Sequence, residues 1–274
     1  MRWLSATFCL CTLLGAIACG GGSSQSANSV SANWQMQLTS AGSDQPWQLS
    51  GFLLQSGNSV TGSFVSVPNA TTGFGCNGVG PVSGTLNGQN LKLDVNVSSQ
   101  DVSLTANFPS QAPTSSTPLE GQFSTLAAGC TSSSTGTWSA VPVTPLSGSF
   151  HGTFTSNTVF GLAPVNVTGT LSQGPNVGDN NTTLTGTINA AGPTRFCSYL
   201  NSATISGLIS GTQVTLNFFG PNGSQIGQLG PQPATITPDA KSLSCIPSSS
   251  CGYFFSQISK SCTGDAGSVE LTFP

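Results

Sequence analysis

The stretch VSGTLNGQNLKLDV, residues 82–95, reads as two strands joined by a tight turn. Leu91, Leu93 and Val95 alternate with Lys92 and Asp94, a period of two that puts the apolar side chains on one face of a strand. Asn87-Gly88 stands at the centre, and Asn-Gly is the favoured pair of a type I′ hairpin. GFLLQSGNSVTGSF (51–64) repeats the phrase around Gly57-Asn58, and ISGLISGTQVTLNF (205–218) repeats it around Ser210-Gly211. VNVTGTLSQGP (165–175) opens the same way, then runs through the longer loop NVGDNN (176–181) into TTLTGTI (182–188). Each phrase holds a glycine inside a strand. Glycine weakens a strand, so its recurrence predicts the sharp coiling that a barrel requires.

The alternation spreads outward from these hairpins. Trp34, Met36 and Leu38 show it, as do Val102, Leu104, Ala106 and Phe108. Phe150 and Phe154, then Val214, Leu216 and Phe218, then Val269, Leu271 and Phe273 repeat it. No segment carries a helical stripe. The phrases recur in order: strand, hairpin, cysteine (Cys76 or Cys197), hairpin, cysteine (Cys130 or Cys262), final strand. That order predicts a tandem repeat, with Val141-Pro142-Val143-Thr144-Pro145 as the linker, because proline stiffens the chain and removes donors. The first β domain is expected over 33–141 and the second over 146–274. About eight short strands per half predict an all-β chain of two tandem small antiparallel β-barrels, with β-sandwiches as the alternative. An immunoglobulin-like core is not evident, since Trp138 follows both cysteines of its half. The 13 residues FLLQSGNSVTGSF resemble the hairpins of lipocalin-like and avidin-like barrels. No binding residue is carried over from those families.

Composition narrows the function classes. Among 274 residues there are 43 serines and 32 threonines, while charged residues make up only 5%. After Arg2 the basic residues are Lys92, Arg195, Lys241 and Lys260, too few to neutralise a nucleic-acid backbone. Hydrophobic content of 36% with a net charge of −3 argues against a disordered chain.

The N-terminus reads MRWLSATFCLCTLLGAIAC. Arg2 and the apolar run after it, shorter than a membrane span, form a secretory signal over 1–18. Ala16-Ile17-Ala18-Cys19 resembles the lipobox of bacterial lipoproteins, although Ala16 stands where Leu is usual. The resemblance implies cleavage before Cys19 and acylation of its thiol, palmitate included. Residues 19–32, lipid anchor and GGGSSQSANSVSA, form an uncharged flexible tether. Gly20, where Asp would imply retention at the inner membrane, implies the outer membrane. The expected location is therefore extracytoplasmic and lipid-anchored.

Six cysteines remain after Cys19, and an even number in an exported chain predicts disulfides. Bonds kept within halves give Cys76–Cys130. The second half allows three pairings, of which Cys245–Cys251 with Cys197–Cys262 is preferred, because Cys245 and Cys251 enclose the turn-like IPSSS. The exported part holds no C-x-x-C pair and the chain one histidine, His151, so neither a metal nor a cofactor is expected. His151 alternates with Phe150 and is expected to face outward.

No nucleophile motif or local pair of acids points to an enzyme. The expected function is a non-enzymatic envelope lipoprotein with a structural or interaction role. The alternative is a binding lipoprotein that holds a small apolar or glycan ligand within a barrel, with Trp34, Trp47 and Trp138 as the candidate ligand-binding residues.

Overall fold

The structure is a computed structural model. It describes residues 29–41, 46–69, 72–127, 130, 132–158, 163–176, 181–190, 200–246, 250–256 and 264–274. The signal segment, Cys19 and most of the tether lie outside the described residues, as do Cys197 and Cys262. Every regular element described is a strand.

In the first half, β1 (Ala32–Ser40), β2 (Trp47–Ser56), β3 (Ser59–Val67), β4 (Gly78–Asn87), β5 (Asn90–Val97), β6 (Gln100–Asn107), β7 (Leu119–Thr125) and β8 (Ser134–Pro142) meander antiparallel. β8 returns to β1, with Trp34 opposite Pro142 and Leu38 opposite Trp138, and closes an eight-stranded barrel. A ring of this size is filled by its own inward side chains. In β5 the burial pattern alternates without a break, and Leu91, Leu93, Val95 and Val97 all point inward. Strand glycines supply the coiling: a Cβ on Gly62 would collide with the carbonyl oxygen of Phe52 across the ladder.

The second half runs β9 (Gly148–Ser156), β10 (Val165–Gln173), β11 (Thr182–Ala190), β12 (Ala203–Ser210) and β13 (Gln213–Phe219) as a meander. It continues through β14 (Gln225–Pro231), β15 (Ala234–Ile236), β16 (Ser242–Cys245), β17 (Cys251–Phe255) and β18 (Asp265–Thr272). β18 pairs with β9. Between β13 and β18 the wall is split. One end of β13 pairs with β14, which meets β17, and the other end pairs with β15, which meets β16. Both β17 and β16 then pair with β18, so the ring closes with eight strands at either level. Both halves are thus closed antiparallel barrels. The two facing sheets of the sandwich alternative are not formed.

Two hairpins place glycine one position earlier in the turn than Asn87-Gly88 and Ser210-Gly211 predict, while Gly57-Asn58 stands as expected. Asn87 pairs with Asn90, so the turn residues are Gly88-Gln89, with Gly88 at φ +62°. Gly57 (φ +60°) and Gly211 (φ +55°) occupy the same first position in their hairpins. A turn with positive φ only at its first position suits Gly-X, which explains why three different residues follow these glycines. The β5–β6 turn is different. Ser98 and Ser99 both take positive φ, 51° and 65°, without any glycine.

The linker starts two residues later and is more buried than its sequence implies. Val141 and Pro142 belong to β8, and the connection over 143–147 sends Val143 and Leu146 into the second core. Val143 N–H donates to the Asn33 carbonyl and Thr144 N–H to the Pro238 carbonyl, both at 2.8 Å, so the linker touches both barrels. The barrels also dock directly. On β1 and β2, Asn33, Ser50 and Phe52 face outward in register, yet each is 3–4% exposed. Phe52 belongs to neither interior cluster. The β12–β13 turn, Gly211-Thr212, comes down on this face. Asn33 Nδ2 donates to the Gly211 carbonyl at 2.9 Å, and Gly211 N–H donates to Asn33 Oδ1 at 2.6 Å. Thr212 Oγ1 donates to Gln35 Oε1 at 3.0 Å.

Candidate functional site

The three tryptophans mark the first barrel's interior. Trp34, Trp47 and Trp138 are 1%, 0% and 2% exposed. Each indole donor, which would cost energy if buried without a partner, is satisfied within the protein. Trp34 Nε1 donates to the Val30 carbonyl at 2.8 Å, and Trp138 Nε1 donates to the Gln122 and Thr105 carbonyls at 3.0 and 3.2 Å. Trp47 Nε1 donates to Ser66 Oγ at 2.7 Å, and the Ser66 hydroxyl donates in turn to the Cys76 carbonyl. Trp34, Met36, Leu38, Phe64, Phe123 and Trp138 all belong to one cluster. A ligand inside this barrel would have to displace them.

One end of the first barrel is covered by the segment before β4. Phe74 stands edge-on to Trp47 at 5.7 Å between ring centroids and tilts against Phe123 at 6.2 Å. Gly75, at φ +101°, lies so close to the Trp47 ring that a Cβ would overlap the indole. The Cys76–Cys130 disulfide ties this segment down, with Cα atoms 5.5 Å apart. In the second barrel Cys245–Cys251 closes at 5.0 Å. Both bonds match the pairings expected from the sequence, while Cys197 and Cys262 fall outside the described residues.

The second barrel is filled by an aromatic cluster. Phe154 lies 5.0 Å from Tyr253 and 6.0 Å from Phe218, and Phe218 stacks on Phe255 at 5.6 Å. Asp265 is the one buried charged residue among those described. Its carboxylate accepts from Tyr253 Oη at 2.8 Å, from Ser156 Oγ at 2.6 Å and from Thr158 Oγ1, so it ties β9, β17 and β18 together. These three hydroxyl donors fix the strands to one another. The exposed Asp239 is held below the ordinary carboxylate value by the Thr237 hydroxyl and then by the Lys241 backbone N–H.

An open concavity lies on the outside of the second barrel. A groove of about 470 Å³ crosses β9, β10 and β11 and is lined chiefly by Ser149, His151, Thr168, Thr170, Thr187 and Asn189. Register explains the lining. His151, Thr168 and Asn189 stand in one row across the three strands, and Ser149, Thr170 and Thr187 stand in the next. Between them runs the inward-facing row Phe150, Gly169 and Ile188. His151 is exposed, as its alternation with Phe150 requires.

No protein-family model, curated protein or solved structure matches this chain. The reading of the molecule therefore rests on its own geometry. The groove was legible only indirectly. Thr-x-Thr runs at 168–170 and 185–187 fill outward strand positions where charged residues are common, but nothing in them indicates a concavity.

Proposed function

We propose that this chain is a non-enzymatic lipoprotein of the bacterial envelope, held to the membrane by lipid on Cys19, with a structural or interaction role exercised by the outer surfaces of its paired barrels. The observation that carries the reading is the filling of both rings by their own side chains, which leaves the outside as the surface offered to partners. Three further features support it. The AIAC stretch precedes a glycine- and serine-rich tether that lifts a folded body off a bilayer. The disulfides suit an oxidising, extracytoplasmic compartment. Gly20 favours the outer membrane. Multiple acyl chains on Cys19 would give stable anchoring where one chain would not.

The test is cell fractionation with mass analysis of the mature N-terminus. The expected result is an acylated N-terminal Cys19 in the membrane fraction, with Cys19→Ser appearing in the soluble fraction. An unmodified mature chain that begins elsewhere, or a Cys19→Ser chain that stays on the membrane, would overturn the anchor.

A further inference from the structure

From the groove across β9, β10 and β11, we infer a binding site for a neutral glycan; the inference rests on the reading that this protein works through its outer surfaces. Charge is the first argument. Strands β9 to β12 carry no acidic or basic residue apart from His151. By contrast, Lys92, Asp94, Asp101 and Glu120 mark the outer face of β5 to β7 in the first barrel. Glu270, exposed on the neighbouring strand β18 opposite Thr153, lies outside the lining, and beyond His151 the lining side chains offer a charged ligand no counter-charge. A polyhydroxylated neutral ligand exchanges its water for hydroxyl, amide and imidazole groups that both donate and accept.

Geometry is the second argument. The two polar rows lie two residues apart along each strand, about 7 Å, and neighbouring strands are about 4.8 Å apart. Six polar side chains therefore stand in a two-by-three grid along the groove. The side chains of Ser149, His151 and Thr168 are exposed and make no hydrogen bond to another group among the described residues, so their polar atoms are open to a ligand. Thr170 and Thr187 hold each other at 3.1 Å, and Asn189 Oδ1 accepts from the Ser202 N–H at 2.6 Å. These contacts preorganise half of the lining while leaving further donor and acceptor positions open. Gly169, on the inward-facing row between the two polar rows, gives its inner side to the Phe150 ring. A side chain there would strike the Phe150 ring and the Thr187 carbonyl.

The groove is open and its bonds compete with water, so each contact contributes modestly. Many anchored copies on one repeating polymer would gain by avidity what a single site lacks. The expected ligand is accordingly a polymer.

The experiment titrates the chain carrying Cys19→Ser with cellohexaose, maltohexaose and N-acetylated chitohexaose, followed by NMR and calorimetry at low and high salt. The chito-oligosaccharide separates an amino-sugar backbone from a plain glucan. Binding of at least one, unchanged by salt, is expected. Thr168→Lys and Thr187→Lys should each weaken it about tenfold or more, the equivalent of about 1.4 kcal/mol, with the circular dichroism unaltered. Ser124→Lys, exposed on β7 of the first barrel, should leave it unchanged. No binding by any of the three sugars, salt-dependent binding, or equal loss in Ser124→Lys would overturn the site. None of these outcomes bears on whether Cys19 is lipidated.

Discussion

The side-chain amide of Asn33 and the peptide groups of Gly211, 178 residues apart, exchange two hydrogen bonds at the seam between the barrels. Asn33 thereby serves the β12–β13 turn as a neighbouring strand would. Gly211 cannot carry a side chain, since its φ is +55° and a Cβ would overlap Ser50. Asn33→Ala leaves a buried N–H and a buried C=O unpaired and should cost about 2–4 kcal/mol. Wild-type protein should melt in one calorimetric transition. Asn33→Ala and Gly211→Val should split it in two, because each barrel keeps its own core. A single transition in both variants would show that the coupling does not depend on the Asn33–Gly211 pair.

The β5–β6 turn stores removable strain. Ser99 holds φ +65° at the second turn position, where a residue with a Cβ costs about 1–2 kcal/mol relative to glycine. Ser98 is equally strained, but its hydroxyl donates to the Asn77 carbonyl at 2.8 Å. Ser99→Gly should therefore stabilise the first barrel by about 1 kcal/mol, read as a higher urea midpoint with unchanged slope. Ser98→Gly should gain less, because it loses that bond.

Which of these features could be read from the sequence follows from range. Alternation in β1, β5, β6 and β13 is local physics, and it placed Trp34, Leu93, Leu104 and Leu216 inside without error. Gly57, Gly88 and Gly211 marked three hairpins, although the turn centres around Gly88 and Gly211 fall one residue later than Asn87-Gly88 and Ser210-Gly211 imply. Cys76 and Cys245 found their partners because few alternatives existed. Ser98-Ser99 escaped because tertiary pairing of β5 with β6 imposes a turn that its residues do not favour. Asn33 was hidden for another reason. A polar residue on the outward phase of a strand looks solvated, and only the opposite barrel buries it. The split wall of β14 to β17 has short strands whose period cannot be told from loops.

Asp239 offers a titration test. The Thr237 hydroxyl and the Lys241 N–H favour its charged form, so its carboxyl should titrate below the ordinary 3.8. The sign follows from that depression. The stabilisation is fully present above the unfolded value and is lost as pH falls through the lower, folded one. The group is exposed, so water and salt screen the contribution and its effect on melting should be small. NMR of the side-chain carboxyl should give a midpoint below 3.8 that rises in Thr237→Val. A midpoint unmoved by that substitution would remove the hydroxyl as the cause.

The two disulfides should differ in weight. Cys76–Cys130 spans 54 residues and Cys245–Cys251 spans 6. On the chain-entropy model the first contributes about 4 kcal/mol and the second about 2. The longer bridge also holds Phe74, Gly75 and the Cys76 carbonyl over Trp47, whose indole N–H reaches that carbonyl through Ser66. Replacing Cys76 and Cys130 by serine should therefore lower the melting temperature of the coupled barrels by about ten degrees, using about 2–4 °C per kcal/mol for a unit of this size. Tryptophan emission should shift to the red as water reaches Trp47. Cys245→Ser with Cys251→Ser should lower the melting temperature by less and leave the emission of the folded protein unchanged, since no tryptophan lies in the second barrel. Ser66→Ala separates the two contributions. It leaves the Trp47 N–H and the Cys76 carbonyl unpaired with the bridge intact, at a cost of about 2 kcal/mol or more. If removing the Cys76–Cys130 bridge lowers the melting point but leaves tryptophan emission unmoved even near the transition, the bridge acts on the unfolded chain alone and the covering segment is held by Phe74 and Ser66.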